Sequence, residues 1–344
     1  MHRRLSRSFA ADCAPRAVQR DSYARPVARL AALCVLATLV ACDHSRPGQE
    51  PAAPDTVIER VEHDGQLLAV HVREASESRA CIVLVHGMTW SAVPDFDLAV
   101  EGEELSFMEG LVARGVNCYA LDLRGYGATA RDADGFNDPD EASADLLAVV
   151  DWVTEREGCR PTVMGWSLGS WVAQLAAQRA PEPMAGLVLY GWPGDERDFE
   201  AFPTADDPQR IPTTAEDARS DFITPDAISE RAIAGFVRAA LATDPVRMDW
   251  SDWSTFEELD AARVTVPTLV LRGALDPIAE SRPAVELFIG LEQDQLTEVV
   301  VPGCDHAAHL ERGRSECLDA VAAHAITWSR PAKPQARPGR RIVR

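Results

Sequence analysis

An α/β protein, built on a mostly parallel sheet with helices on its faces, is what the sequence predicts. Three observations carry that expectation. Unbroken apolar runs of strand length, residues 81–85 and 186–190 among them, suit strands covered on both faces. These runs alternate with stretches of helical spacing, the order of a parallel sheet with crossover helices. Finally, residues 161–170, PTVMGWSLGS, read as a short strand turning through Gly165-Trp166-Ser167-Leu168-Gly169 directly into a helix.

The elements follow in order. Residues 57–62 and 66–73 are strand-like and flank Asp64-Gly65, a hairpin signal. The strand 81–85 ends in HGMTW, residues 86–90. Leu105, Met108, Leu111 and Val112 mark a helix that stops at Arg114-Gly115. The strand VNCYALDL then ends in Arg124-Gly125-Tyr126-Gly127, and an acidic loop leads to a helix over about 141–155. After Ser167 and its helix, the strand GLVLY ends at Gly191-Trp192-Pro193. From there the pattern loosens into Pro-, Asp- and Arg-rich segments with one good helix, about 226–242. VPTLVLRG, residues 266–273, is a further buried strand and runs into Ala274-Leu275-Asp276-Pro277-Ile278. LTEVVV ends at Pro302-Gly303-Cys304-Asp305-His306, and a closing helix spans about 315–328.

Five motifs, HGMTW, DLRGYG, GWSLGS, LRGALDPI and PGCDHAAHLE, stand in one order over about residues 57–327, and on them the chain resembles the α/β-hydrolase fold family. The resemblance implies a core made of 56–192 and 263–328, with a helical cap or lid, 193–262, inserted after the sixth strand. Trp192, Phe199, Phe202, Phe236, Trp250 and Trp253 cluster in or near that insert, and packing of a small subdomain is the expectation for them over substrate contact.

Serine is a weak nucleophile near neutral pH, so it needs a base to take its proton and a third group to orient that base. The family's chain order is Ser, acid, His. Ser167, Asp276 and His306 have that order, each just past the C-terminal end of a strand, where sites assemble in open parallel sheets. Ser167 is therefore the expected nucleophile, His306 the general base and then acid, and Asp276 the orienting carboxylate. Backbone N–H groups of Met88 and Leu168 are expected to receive the oxyanion. His309 is the competing base, and Asp195 or Asp198 the competing acid. Asp305 stands where the family often has Gly, and Ser170 where it often has a second Gly. His86 is expected to turn its loop through a hydrogen bond rather than to carry a proton.

Charge sets limits. The chain carries 54 acidic and 34 basic residues, a net of −20, which excludes a phosphate-neutralising surface and hence nucleic-acid binding. Residues 1–41 hold seven Arg against two Asp, a net of +5, so the remainder carries −25. That asymmetry, with the apolar run LAALCVLATLVAC of residues 30–42, predicts an export signal too short to span a bilayer. Leu39-Val40-Ala41-Cys42 closely resembles the lipobox of bacterial lipoproteins. It implies cleavage after 41, lipidation of Cys42, a flexible tether over 42–55 and a location on the extracytoplasmic side of a bacterial cell envelope. Residues 329–344 read as a basic, Pro-rich, disordered tail.

Of the cysteines, Cys81, Cys118, Cys159, Cys304 and Cys317 remain after those of the signal and Cys42. Cys304 and Cys317 are candidates for a bridge, while Cys81 and Cys118 suit lone buried thiols. Cys304, Asp305, His306 and His309 lack a second cluster at zinc spacing, and the Asp-rich stretch 132–140 has its Gly out of place for a calcium loop. Neither implies a metal, and no cofactor is expected. The sequence thus predicts a membrane-anchored serine hydrolase of carboxylic esters, with an amide or peptide substrate, as in proline-iminopeptidase-like members, the alternative; a non-catalytic binding lipoprotein is a third reading.

Overall fold

A computed structural model describes residues 56–193, 207–279 and 295–331. The signal, the tether with Cys42, Phe199, Phe202, Asp195, Asp198 and most of the basic tail lie outside the described residues.

An eight-stranded sheet forms the centre, in the order β1-β2-β4-β3-β7-β8-β10-β11. Its strands are β1 (Val57–His63), β2 (Gln66–Arg73), β3 (Ala80–Val85), β4 (Val116–Asp122), β7 (Thr162–Trp166), β8 (Gly186–Tyr190), β10 (Thr268–Gly273) and β11 (Leu296–Val301). The β1–β2 hairpin and the β2–β4 pair are antiparallel, and every other neighbour is parallel. Two-residue strands complete the set: β5 (Phe136–Asn137) pairs with β9 (Asp249–Trp250), and β6 (Cys159–Arg160) with β12 (Arg330–Pro331).

Strand alternation divides the core into two layers. Val83, Val85, Val163, Leu187 and Leu189 face α3 (Pro139–Glu157) and α4 (Leu168–Arg179). Ile82, Leu84, Met164, Val188 and Tyr190 face α2 (Phe107–Val112) and α7 (Arg314–Trp328). The central parallel strands β3, β7 and β8 are wholly buried, which explains why they read as unbroken apolar runs. Among the described residues, no helix is long and apolar enough to cross a membrane.

Differences from expectation lie in short or capped elements. Asp138 accepts from the N–H of Glu141 and Pro139 opens the helix, so α3 starts before 141 and runs to a left-handed Gly158. The helix expected from 226 begins instead at Glu230, as α6 (Glu230–Thr243). Asp226 has φ of 61°, outside the helical region, and Ser229 supplies the cap. The five-residue α1 (Ala92–Phe96) and six-residue α5 (Ala215–Ser220) had no periodic signal; α5 is held by a reciprocal Thr214–Asp217 cap.

Between β8 and β10, the described part of the insert packs through its own apolar cluster. Phe236, Ala232 and Ala240 meet Trp90, Leu98 and Leu310 there. Trp192, Trp250 and Trp253 are buried in the main core. Cys304 and Cys317 are separate buried thiols rather than a bridge. Cys81 is not a lone thiol, because the sulfur of Cys159 lies against its own.

Candidate active site

At the end of β7 the chain enters α4 through Ser167, whose φ of 54° and ψ of −123° lie outside the allowed regions for a side-chain-bearing residue. Such a backbone costs about 1–3 kcal/mol and persists only where the surroundings over-determine it. Here they do. The Ser167 N–H donates to Tyr190 O at 2.9 Å, and its carbonyl accepts from the Ser170 N–H at 2.9 Å and the Ser170 hydroxyl at 2.5 Å. A side chain at Gly165 would put its Cβ 2.0 Å from the Gly169 carbonyl oxygen, so the turn closes only around glycine. Ser167 is half-buried, and the N–H of Leu168 belongs to the first turn of the helix that follows.

Because β3, β7, β8, β10 and β11 are parallel, the loops after them share one rim of the sheet. On that rim His306 Nδ1 donates to Asp276 Oδ2 at 2.9 Å, with both side chains buried. The other Asp276 oxygen accepts from the N–H groups of Ile278, at 2.8 Å, and Ala279, at 3.1 Å. Burial pushes the Asp276 carboxyl up. The hydrogen bond and charge of His306, with the two backbone donors, outweigh it and hold the group below the ordinary carboxylate value. Trp166, the residue before Ser167, donates its indole N–H to His306 O at 2.9 Å and packs its ring 5.3 Å from the imidazole. A Cβ on Gly191 would fall 2.8 Å from His306 Cε1 and 3.2 Å from Trp166, so glycine is needed for the imidazole to sit there. Asp276 and His306 are thus joined directly, and Trp166 and Gly191 tie them to the Ser167 turn.

Opposite the turn lies HGMTW. A Cβ on Gly87 would sit 3.6 Å from that of Ser167. His86 is fully buried. Its Nε2 accepts from the Leu123 N–H at 3.1 Å, so the Nδ1–H donates to Gly87 O at 2.8 Å, which gives it the expected loop-turning role. Asp95 accepts from the Gly87 N–H at 3.1 Å, and burial pushes its carboxyl well above the usual range. The Tyr126 hydroxyl donates to Met88 O at 2.5 Å and accepts from Trp250 at 2.8 Å. Asp244, at the end of α6, accepts from the N–H and hydroxyl of Ser91, at 2.9 and 2.8 Å, and from the Gly127 N–H at 2.9 Å. One carboxylate of the insert therefore fixes both the HGMTW and RGYG loops.

His309 occupies a different role. Its N–H and Nδ1 both meet the Tyr190 hydroxyl at 2.9 Å, and its Nε2 donates to Asp95 O at 2.8 Å. Burial lowers its pKa to about 3, so the ring stays neutral with both nitrogens engaged. Asp305 is a clamp: one oxygen accepts from the N–H groups of Ile223, at 3.0 Å, and Thr224, which fastens the insert to the His306 loop. Gly at 305 could not do this. Asp221, two residues before Ile223, accepts from Trp90 at 2.6 Å; burial pushes its pKa up to about 6.

Glu311 closes the loop by accepting from the Asp305 N–H at 2.9 Å. Burial, with the charge of Asp305, pushes its pKa up to about 7. Between its ordinary value and about 7 the folded chain keeps a proton that the unfolded chain has released. The stability this provides is full below the ordinary carboxylate value and is lost as pH rises through about 7. Glu311→Gln, which never ionises, is expected to show a smaller fall in Tm between about pH 5 and about pH 8 than the wild type. Equal falls in thermal melts of the two proteins would remove Glu311 from the account.

Sequence reasoning missed Asp221, Asp244 and Tyr126. Their weight comes from contacts across 131, 117 and 124 residues of chain, which no local pattern announces. Asp305 did carry a signal, as a departure from Gly, although its consequence is mechanical. Among the described residues, no group of three or more His, Cys, Asp or Glu is arranged to hold a metal ion.

A sequence profile described as the alpha/beta hydrolase family matches residues 82–321. No curated protein sequence matches the chain. Among solved structures, the chain is similar to epoxide hydrolase A from Mycobacterium thermoresistibile, with a TM-score of 0.56 and 18% identity over 78% of this chain and 98% of that one. It is similar also to the thioesterase domain from the curacin biosynthetic pathway, with a TM-score of 0.55 and 16% identity over 78% and 99% of the two chains. A monoacylglycerol lipase from Paleococcus ferrophilus gives a TM-score of 0.51 and 20% identity over 76% and 98%. Identities this low speak to fold alone, whereas the profile spans most of the chain and covers the Ser167 turn, Asp276 and His306. The chain belongs to the alpha/beta hydrolase family.

Proposed function

We propose that this hydrolase is a serine enzyme acting through an acyl-enzyme on carboxylic esters, with Ser167 as nucleophile, His306 as base and Asp276 as its orienting partner. The observation that carries the reading is the 2.9 Å His306–Asp276 hydrogen bond on the same rim as a serine in a strained turn. Asp276 accepts a hydrogen bond from the Nδ1–H, which fixes that tautomer and leaves the Nε2 lone pair free to accept the Ser167 proton during attack. The Met88 and Leu168 N–H groups receive the negative charge that develops on the carbonyl oxygen. His306 then hands its proton to the leaving alkoxide, and a water molecule repeats the sequence to release the acid. Acyl transfer agrees with the names of two structural relatives, a monoacylglycerol lipase and a thioesterase domain.

Amide or peptide hydrolysis is the second reading, and Asp221 favours it. That half-buried carboxylate of the insert stands close enough to His306 for their charges to interact, so it could pair with a substrate ammonium group. The proposal also includes export and a lipid anchor at Cys42, on the strength of the apolar run and Leu39-Val40-Ala41-Cys42. The residues from 193 to 262 act in it as the cap.

One labelling experiment with a fluorophosphonate probe tests these parts together in fractionated bacterial cells. Wild type is expected to label in the membrane fraction, Cys42→Ala in the soluble fraction, and Ser167→Ala in neither. Labelling that survives Ser167→Ala would end the serine-hydrolase reading, and an unchanged membrane share for Cys42→Ala would end the anchor. Turnover of acyl esters against aminoacyl amides then decides the substrate class.

A further inference from the structure

Cys81 is the second residue of β3 and is 2% exposed. Cys159 opens β6, directly after the left-handed Gly158 that ends α3, and is half-buried. That glycine ends the helix, and β6 then pairs with β12. The two cysteines are 78 residues apart in the chain, and their sulfurs are 2.6 Å apart, closer than two unbonded sulfurs rest. Two of the remaining three described cysteines are engaged elsewhere. Cys118 contacts the carbonyls of Met108 and Val116, and Cys304 lies beside Glu311.

We propose that Cys81 and Cys159 form a disulfide-bonding pair, a thiol–disulfide site at the end of the sheet opposite Ser167. The pair is asymmetric in a way that orders the chemistry. Cys159 is the accessible partner, and the Cys81 S–H bonded to it lowers its pKa, whereas that same bond and burial raise Cys81. The Cys159 thiolate attacks a donor disulfide, either oxidised glutathione or a protein disulfide, and displaces one donor thiolate. Cys81 then gives up its proton and attacks the Cys159 sulfur of the mixed disulfide, displacing the second donor thiolate. Two cysteine thiols are oxidised, and one donor disulfide is reduced to two thiols.

The bond would close a loop that contains both HGMTW and RGYG, and it would tie the entry of β3 to the end of α3. It lies away from the rim that carries Asp276 and His306, so its effect falls on the scaffold. The inference stands without the proposed activity, although an oxidising compartment is where such a pair is found bonded.

The test uses the full chain, reduced, then exposed to oxidised glutathione, alkylated and digested with trypsin. Cys81 lies in peptide 80–114 and Cys159 in peptide 157–179, which continues past Arg160 because Pro161 follows. The expected result is one linked mass joining these two peptides, split by reduction. The oxidised wild type should melt about 5–10 °C above the reduced protein. Cys159→Ser should melt alike in both states and keep the wild-type kcat/KM. Full alkylation of Cys81 and Cys159 after oxidation, or a link between any other pair, overturns the proposal, and the peptide masses decide it even if the serine variant fails to fold.

Discussion

His306→Ala is expected to lower kcat on a chromogenic ester by about 10⁴-fold or more while KM changes little. The serine hydroxyl is a poor nucleophile at its own pKa, and the imidazole bonded to Asp276 is the group proposed to take its proton. His309→Gln is the matched control. Its ring is neutral, with both nitrogens already bonded to Tyr190 and Asp95, so losing it weakens packing beneath the site without removing a base. That variant should melt lower and lose less than about tenfold in kcat per folded molecule. Equal losses in kcat for the two variants would move the base to His309 and break the proposed assignment. Rate assays with the folded fraction measured separately distinguish the outcomes.

Much of this arrangement was legible in the chain itself. Strands that are buried on both faces must be apolar throughout, so β3, β4, β7 and β8 announced themselves as runs. The loops after them carry short motifs because each must turn sharply at the same rim. Ser167, Asp276 and His306 could be placed at that rim for this reason, and their catalytic roles stay a proposal. His309 and His306 could not be separated by spacing alone, since three residues apart in a loop says nothing about burial. Tyr190 and Asp95, which satisfy His309, lie 119 and 214 residues away. The same holds for Asp244 and Tyr126, whose roles exist only once the insert folds back over the motif loops. The Cys81–Cys159 contact was hidden for a related reason: one cysteine sits inside a strand run and the other beyond a helix cap, and only the parallel sheet brings them together.

Gly169→Ala is expected to cut kcat by about 10²-fold and to lower stability by about 1–3 kcal/mol. A Cβ at 169 would lie 2.4 Å from the His86 carbonyl oxygen and 2.5 Å from that of Val85. Both obstacles are backbone at the end of a central strand, so no side chain can swing aside to make room. Relief requires the first turn of α4 to move away from β3 by several tenths of an ångström. That motion separates Leu168 from Met88, the two residues whose N–H groups are proposed to hold the oxyanion, and leaves His306 and Asp276 where they are. Ground-state binding should survive, so the loss is expected in kcat rather than KM, and fluorophosphonate labelling should slow without vanishing. Wild-type kcat in Gly169→Ala, with an unchanged Tm, would mean that the turn yields freely and that its close packing against His86 has no part in catalysis.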